Sequence, residues 1–378
     1  MRYSLFLLCL ACRGPQSSHD PKTTDTGPSS TDPSAVDTST TSWAPLPTED
    51  EAALQAGMEL ALTETGAPGV ALGVATHSDR RRWVSSTGWA DVDAQRAWLP
   101  DTPYPIGSVT KTYVSVLVLQ LMEAGTLTLD DPVEQWVDHP WAGQGVTLRH
   151  LLQHRSGIAS YNYVGGFDGS QTWTPDELVD WAYLVDPDLH FPAGEGFEYS
   201  NTNFILLGLV AEQATGNPLA DELDARFFGP LGMTHTSMMT EHPADLVHGY
   251  SEGVDITDDF HPTAGWAAGG LVSTPADQLV WGTALFGGEL VAPETLELMT
   301  TPLLVDGKEV GYGLGLFGGI DGDYGGHWGH TGGYSGQLTY LYHLDSVDHV
   351  VVAMVNSFDA DLDRVANAAW LEILDLSY

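Results

Sequence analysis

The chain has 378 residues, of which 43% are hydrophobic and 10% aromatic, enough to bury a substantial core in one large domain or two smaller ones. Its 51 Asp and Glu against 13 Lys and Arg give a formal net charge of -38, which argues against a surface that binds nucleic acid. Both cysteines, Cys9 and Cys12, lie near the N-terminus, so the rest of the chain can form neither an internal disulfide nor a thiolate metal site.

Residues 1–12, MRYSLFLLCLAC, combine a basic residue, an apolar stretch too short to span a bilayer, and a small residue before Cys12. This pattern predicts a signal peptide over 1–12 and an exported protein of the periplasm or cell envelope. A small residue before a cysteine also resembles a bacterial lipoprotein cleavage site, in which case Cys12 is lipidated and anchors the protein to a membrane. The alternative is a plain signal peptide with incidental cysteines.

Residues 13–47 are rich in Ser, Thr, Pro and Asp. They contain too few apolar side chains to offset the entropy of ordering a backbone. We therefore expect a disordered tether over 13–47, followed by a folded domain over 48–378.

The folded part begins and ends with strand patterns. A helix is predicted over 49–64, then two strands in GVALGVATHSD and RRWVSSTGWADVD; further helices are predicted over 111–125, in LRHLLQHRSGI and in NFILLGLVAEQATG. Strands return in QLTYLYHL and HVVVAMVNS, before a last helix over about 361–374. The order predicts an α+β fold: one antiparallel sheet, from about 65–105 and 311–378, flanked by helices, with a mostly helical insertion over about 108–300.

The stretch PIGSVTK places Ser108 and Lys111 three residues apart at the start of an apolar helix. This spacing puts both side chains on one helical face, about one turn apart. A lysine buried there would lose its proton more easily and could accept the proton of the serine hydroxyl. Backbone N–H groups at the helix start could also face an oxyanion. Alone, the spacing also occurs by chance.

Two further motifs lie at junctions between loops and predicted elements. FEYSNTNFILLGL places Tyr199 and Asn201 just before an apolar helix, where a phenol can shuttle a proton and an amide can bind a carbonyl. GHTGGYSG places His330 and its glycines at the start of a strand edge that a substrate could approach closely. In isolation, a helix-capping Asn or Ser with a half-buried tyrosine is the better explanation of the first motif, and a turn of the second.

Taken together and in this order, SVTK, YSN and HTG resemble the penicillin-recognising serine enzymes, which include serine β-lactamases, D-alanyl-D-alanine peptidases and related esterases. The branch that is most similar is that of class C β-lactamases, D-alanyl-D-alanine carboxypeptidases and family VIII esterases. Supporting stretches are TLRHLLQHRSGI, PAGEGFEYSN, FFGPLGMTHTS, AAGGLVSTPAD and GYGLG. The resemblance covers the chain from about Ala52 to about Asn356, and it implies a serine β-lactamase/transpeptidase-like fold.

The resemblance implies that Ser108 is the acylated nucleophile and that Lys111 helps to take its proton. Tyr199 would act as general base and acid for the leaving group and the incoming water. The backbone N–H groups of Ser108 and Gly333 would form the oxyanion hole.

Substrate binding is implied in the same way. Asn201 would bind the acyl side-chain amide, and His330 and Thr331 would line a pocket for a substrate carboxylate. No metal or cofactor is expected. Asp321, Asp323, His327 and His330 fit no compact ligand pattern, and DADLDR at Asp359 lacks the glycine and the acid of a calcium loop.

The substrate is expected to be a small-molecule or peptide acyl donor: an acyl-D-Ala-D-Ala peptide, a β-lactam or an ester. A histidine in HTG, where most β-lactamases have lysine, replaces a fixed positive charge with a group that is near half-titration or neutral at pH 7. Together with the negative charge of the whole chain, this disfavours a fast β-lactamase and leaves a peptidase or an esterase that acts on less charged acyl donors. The pairing of YSN with HTG looks most like D-alanyl-D-alanine carboxypeptidases, so the resemblance implies a peptidase of that kind. An esterase or a β-lactamase on the same scaffold is the alternative, and a non-catalytic receptor with this fold is the third hypothesis.

Overall fold

The computed structural model describes residues 43–319 and 326–376. The signal peptide predicted over 1–12, with Cys12, lies outside these residues, as do Asp321, Asp323 and most of the tether predicted over 13–47. Within the described residues there are eleven α-helices and fifteen strands, several of only two residues.

The helices are α1 (Thr48–Thr65), α2 (Thr110–Glu123), α3 (Leu148–Leu152), α4 (Pro175–Val185), α5 (Asn201–Thr215), α6 (Leu219–Leu223), α7 (Gly229–Leu231), α8 (Pro262–Gly269), α9 (Pro275–Phe286), α10 (Pro293–Met299) and α11 (Leu362–Leu376). The strands are β1 (Ala44–Pro45), β2 (Gly69–Thr76), β3 (Arg81–Asp91), β4 (Arg96–Ala97), β5 (Tyr104–Pro105), β6 (Ser237–Met238), β7 (Tyr250–Ser251), β8 (Val254–Asp255), β9 (Leu271–Ser273), β10 (Leu304–Val305), β11 (Lys308–Glu309), β12 (Phe317–Gly319), β13 (His327–Gly333), β14 (Leu338–Leu344) and β15 (His349–Val355).

The main sheet joins the two ends of the folded part. Its strand order is β1-β3-β2-β15-β14-β13-β12, with β4 paired to β3. All pairs are antiparallel except the short β1, which is parallel to β3. The predicted antiparallel sheet, built from two distant segments, is therefore confirmed.

Strand β2 is buried on both faces, and its sequence alternates accordingly. Val70, Leu72 and Val74 pack with α1 and α11 in one core cluster. Small residues alternate with them, and a Cβ atom on Gly73 would lie only 3.0 Å from Leu279 of α9. Small side chains on this face let α9 pack closely against the sheet.

The last residues of the predicted tether belong to the fold. Ala44 and Pro45 pair with Arg81 and Arg82 of β3, and Leu46 is buried in the core cluster beneath α1. The guanidinium groups of Arg80 and Arg82 lie 5.2 and 5.4 Å from the centre of the Trp43 ring. Apolar burial and cation–π contacts thus order a segment whose composition alone predicts disorder.

The middle of the chain is mostly helical, as predicted, with three small sheets made of two- and three-residue strands. One predicted helix is shorter than expected: α3 ends at Leu152, because His154 has a positive φ of 53°. Helices α2 and α5 run through the core, and the side chains of α2 are buried nearly all round. Their N-termini lie near the end of β13, where the three sequence motifs meet.

Candidate active site

Ser108 lies in a single 3₁₀ turn, Gly107–Val109, that leads directly into α2. Lys111 follows one turn later on the same face, and its Nζ lies 3.0 Å from Ser108 Oγ. The close approach predicted from the three-residue spacing is present in the structure. Gly107 permits the sharp entry into the helix, because its φ is 52°.

Lys111 is fully buried, and among the described residues it forms no ion pair with a carboxylate. Its Nζ donates to the carbonyl oxygen of Ala268 at 2.5 Å and lies 5.1 Å from the centre of the Tyr199 ring. Burial holds the pKa of the Lys111 amine well below its ordinary value. A lysine in this setting can exist as a neutral amine and accept a proton.

Tyr199 precedes α5 and brings its phenol to Ser108. Burial raises the pKa of Tyr199 well above that of a free tyrosine, although a hydrogen bond with the Ser108 side chain acts in the opposite direction. The phenol is therefore neutral at physiological pH. A neutral phenol between a serine and a leaving group can pass a proton on, whereas the buried amine of Lys111 is the stronger proton acceptor.

The backbone of β13 lies against the turn that carries Ser108. A Cβ atom on Gly332 would lie 2.0 Å from the carbonyl oxygen of Ile106 and 3.1 Å from Ser108 N, and one on Gly107 would lie 2.7 Å from Gly333 N. Only glycines allow this approach. It places the backbone of Gly332 and Gly333 beside the turn of Ser108. An oxyanion hole needs two neighbouring backbone N–H groups of this kind.

The end of β13 also has an open edge. Strand β12 pairs only with His327–Gly329, so within the described residues no strand pairs with the outer edge of the segment from His330 to Gly333. Unpaired backbone groups at such an edge can bind an extended substrate. Thr331 is partly exposed and Gly333 exposed at this edge.

His330 lies beneath this edge, with only 1% of its surface exposed. Its ring packs against Phe317 at a centroid distance of 4.8 Å. Burial, reinforced by the charge of Lys111, lowers the pKa of His330 to about 3. The ring is therefore neutral at physiological pH and offers no positive charge to a substrate carboxylate.

Asn201 begins α5 and is held by two residues that the sequence analysis did not single out. Its Nδ2 donates to Asn162 Oδ1 at 2.9 Å, and its backbone N–H donates to Ser160 Oγ at 2.9 Å. Ser160 in turn donates to Asn162 at 2.8 Å. The short polar run SYN at 160–162 was the available signal, but it gives no indication that it meets a loop forty residues later.

His154 and Tyr312 were also missed as individual residues. Both are fully buried. They contact Tyr199 closely, with ring centroids at 4.2 Å for His154 and 6.4 Å for Tyr312. Both lie in stretches quoted for the family resemblance, LLQHRSGI and GYGLG, but no local pattern marks either ring as part of the site.

Within the described part of the chain, no three or more His, Cys, Asp or Glu side chains come together as a metal site would need. In the same residues, no helix has both the length and the apolar character needed to cross a bilayer.

A family model described as Beta-lactamase matches residues 51–375. The chain belongs to the Beta-lactamase family. This family comprises serine hydrolases of the penicillin-recognising superfamily. The family, enzyme class and α+β fold predicted from SVTK, YSN and HTG are therefore confirmed.

Two curated relatives match over part of their length. Penicillin-binding protein 4* of Bacillus subtilis is 28% identical over 251 residues, which are 61% of this chain and 55% of that protein. Esterase EstB of Burkholderia gladioli is 34% identical over 217 residues, which are 53% of this chain and 55% of that protein. The chain thus spans about half the length of the curated relatives it matches.

The fold also matches a solved member of the family. The crystal structure of a D-stereospecific amidohydrolase from Streptomyces sp. aligns with a TM-score of 0.73 at 30% identity and covers 85% of this chain and 98% of that one. The family thus includes proteins named for amide, ester and penicillin chemistry.

Proposed function

We propose that this protein is a D-alanyl-D-alanine carboxypeptidase-like peptidase that forms an acyl-enzyme on Ser108. The observation that carries the proposal is the contact of 3.0 Å between Ser108 Oγ and the Nζ of a fully buried lysine without a carboxylate partner in the described chain. Such a pair is an activated nucleophile with its base. It lies beside the Gly333 backbone, which supplies the second oxyanion donor.

The reaction follows from the positions of these groups. Ser108 Oγ bonds to the substrate carbonyl carbon while its proton passes to Lys111 Nζ. The resulting oxyanion accepts hydrogen bonds from the N–H groups of Ser108 and Gly333. As the carbon–nitrogen bond breaks, Tyr199 donates its proton to the leaving amine and takes one from Lys111. Water then attacks the ester, gives its proton to the same relay, and releases the acid and Ser108.

The names of two relatives support an amide of a D-residue as the acyl donor. One is a penicillin-binding protein and the other a D-stereospecific amidohydrolase. Penicillins and acyl-D-Ala-D-Ala peptides both present an amide-type carbonyl to a nucleophilic serine. On this basis Asn201 binds the acyl side-chain amide, and Thr331 contacts the far end of the substrate. The natural substrate in this proposal is a short peptide.

Esterase activity is the second candidate, and the burial of His330 is the observation that favours it. Because this ring is neutral, the site offers no fixed charge from HTG to a substrate carboxylate. Acyl donors without a carboxylate, such as simple esters, do not need a positive charge at this position in order to bind. The similarity to EstB points the same way. A rapid β-lactamase is disfavoured by the same lack of charge, and a receptor without activity would not need the buried lysine.

Intact-mass spectrometry separates these functions. The enzyme is incubated with a penicillin, with an acyl-D-Ala-D-Ala peptide and with a p-nitrophenyl ester, in parallel with the Ser108→Ala variant. A stable penicillin adduct together with release of D-Ala supports the peptidase. Ester turnover without release of D-Ala supports the esterase, and rapid release of opened penicillin supports a β-lactamase. An adduct on the Ser108→Ala variant would refute the assignment of the nucleophile.

We also propose that the protein is exported to the cell envelope and anchored there through a lipid on Cys12. The proposal is supported only by the sequence of residues 1–12. Fractionation of cells that express the full chain or its Cys12→Ala variant tests it. Recovery of both forms in the soluble periplasmic fraction would refute the anchor, and recovery of the full chain in the cytoplasm would refute export.

A further inference from the structure

A chain of buried hydrogen bonds runs behind Tyr199. Its side chains are His154, Tyr312 and His330, with exposed fractions of 0%, 0% and 1%. We propose that these three side chains form a one-way hydrogen-bond chain that positions the Tyr199 turn against the oxyanion edge of β13, with the two histidines in opposite neutral tautomers. The inference rests on the proposed acyl transfer at Ser108, and the three are positioning residues.

The first end of the chain fixes the tautomer of His154. The backbone N–H of Ser200 and the Nδ2 of Asn203 both point at His154 Nδ1, each at 3.2 Å. A backbone N–H can only donate. The amide of Asn203 is oriented as well, because its Oδ1 accepts from Ser156 Oγ at 2.6 Å. His154 Nδ1 must therefore carry the lone pair, and the ring proton lies on Nε2.

The other end fixes the tautomer of His330. Its Nδ1 is hydrogen-bonded to the carbonyl oxygen of Thr331. A carbonyl oxygen can only accept, so His330 Nδ1 carries the proton and Nε2 the lone pair. The two rings thus hold their protons on different nitrogens, as a result of backbone groups at each end.

Tyr312 connects the two rings. Its hydroxyl lies 3.1 Å from His154 Nε2 and 3.5 Å from His330 Nε2. The phenol accepts from the first and donates to the second, which is the only arrangement that the fixed ends allow. Reversing any link would bring two protons or two lone pairs together in a buried place, which costs free energy.

The ends of the chain lie at two parts of the proposed catalytic site. Ser200 directly follows Tyr199, and the His154 ring lies 4.2 Å from the Tyr199 ring. Thr331 directly precedes Gly332 and Gly333, whose backbone packs against the turn of Ser108. The chain therefore sets the distance between the phenol and the oxyanion donors, and a displacement of about 1 Å there can reduce a rate by about a hundredfold.

Both histidines must remain neutral for the chain to exist. A protonated ring would have no lone pair to accept with. Burial lowers the pKa of both rings, and the charge of Lys111 acts in the same direction whenever that amine is protonated. The three hydrogen-bonded side chains thus support the site without carrying a charge, and Lys111 is the group whose charge changes during the proposed reaction.

Nitrogen NMR of protein with ¹⁵N-labelled histidine rings tests the tautomers directly. We expect the Nε2–H pattern for His154 and the Nδ1–H pattern for His330 from about pH 6 to 8. The two signals are assigned by their loss in His154→Gln and His330→Gln variants. The same tautomer in both rings, or a cationic ring in either, would overturn the proposal. This measurement does not depend on activity, so it is distinct from the loss of the nucleophile tested with Ser108→Ala.

Kinetics of Tyr312→Phe test the positioning role. This variant keeps the ring and removes both links, so we expect kcat to fall about ten- to a hundredfold with KM nearly unchanged. The tautomers of His154 and His330 should persist, because backbone groups at Ser200 and Thr331 fix them. Tyr104→Phe is the matched control. The buried Tyr104 hydroxyl donates to the carbonyls of Leu338 and Val355, at 2.8 Å each, and takes no part in the hydrogen-bond chain of Tyr312. Equal kcat values for the two variants would overturn the positioning role.

Discussion

Lys111 Nζ lies 3.0 Å from Ser108 Oγ and 2.5 Å from the carbonyl oxygen of Ala268, with no carboxylate partner in the described part of the chain. Full burial without a counter-charge makes this a poor place for a permanent ammonium ion, although the two acceptors partly offset that cost. The proposed chemistry uses this relationship, because the amine has to be neutral before it can receive the proton of Ser108.

Replacing this amine should stop acylation while leaving the fold intact. Lys111→Met retains the length of the side chain and most of its apolar contacts, so we expect the single-turnover rate of acylation to fall by about a thousandfold. Stopped-flow measurement with a p-nitrophenyl ester or a fluorescent penicillin checks this. Lys308→Met is the control, since Lys308 lies exposed on β11 and should leave the rate unchanged. Normal acylation of Lys111→Met would remove the lysine from the mechanism.

The activity should rise with pH through the pKa of Lys111. Burial lowers this pKa well below that of a free lysine, and below it the amine is protonated and cannot act as a base. We therefore expect a limb of increasing kcat/KM that levels off below the ordinary lysine pKa of about 10.4. His330 cannot produce this limb, because its pKa is about 3.

The pH profile has an internal check. Tyr199 has a pKa well above its ordinary value, so the phenol stays neutral across the assay range and should add no descending limb of its own below about pH 10. Profiles of kcat/KM with a neutral ester, between pH 5 and 10, measure this. A profile that falls as pH rises through the neutral range would contradict the role of a neutral amine.

The oxyanion edge should be sensitive to a single methyl group at Gly107. A Cβ atom there would lie 2.5 Å from Gly333 O and 2.7 Å from Gly333 N, so the strand has to move. We expect Gly107→Ala to reduce kcat/KM by about a hundredfold, comparable to the loss of one oxyanion donor. Steady-state kinetics with an ester substrate give this value.

Gly125→Ala is the matched control for Gly107→Ala. Gly125 has a similarly positive φ of 71°, but nothing lies within 4 Å of an added Cβ atom. It should therefore show the conformational cost alone, about 1–2 kcal/mol of stability, with unchanged kcat/KM. If the two variants lose activity equally, backbone strain rather than the approach of β13 explains the loss at Gly107.

The contacts of the proposed site that could be predicted from the sequence depend on local spacing. Ser108 and Lys111 share a helical face because they are three residues apart, and the ends of α5 follow from an apolar run closed by Gly216. The pairing of His154 with Tyr312 joins positions 158 residues apart, and no local period encodes it. The early end of α3 could not be predicted for the same reason. The backbone leaves the helical conformation at His154, where tertiary contacts hold the ring.

Burial could not be predicted for His330 for a related reason. The HTG motif specifies a residue type at the start of a strand edge, and strand alternation leaves two faces available. Which face is covered depends on Phe317 and Tyr312, which come from a different segment. The sequence therefore indicated a group without a fixed charge at this position, but the aromatic packing that removes it from solvent required the structure.

The sheet should depend strongly on one buried amide, that of Asn356. Its Oδ1 accepts from the backbone N–H of Gly69 at 2.7 Å, and its Nδ2 donates to the carbonyls of Trp89 and His248 at 3.0 and 3.1 Å. Asn356→Leu keeps a similar volume but leaves these three backbone groups without that partner. At about 1–3 kcal/mol for each unsatisfied group, we expect a loss of at least about 3 kcal/mol in the free energy of unfolding.

Urea denaturation measures this loss, with Asn217→Leu as control. Asn217 also donates a side-chain hydrogen bond, to Glu222 at 2.7 Å, but it is exposed between α5 and α6 and should cost less than about 1 kcal/mol. Because Asn356 connects strand ends and contacts none of the proposed catalytic groups, the folded fraction of Asn356→Leu should retain normal kcat. A stable Asn356→Leu protein would mean that the surrounding backbone groups find other partners, and a folded but inactive one would mean that the strand ends are coupled to the site.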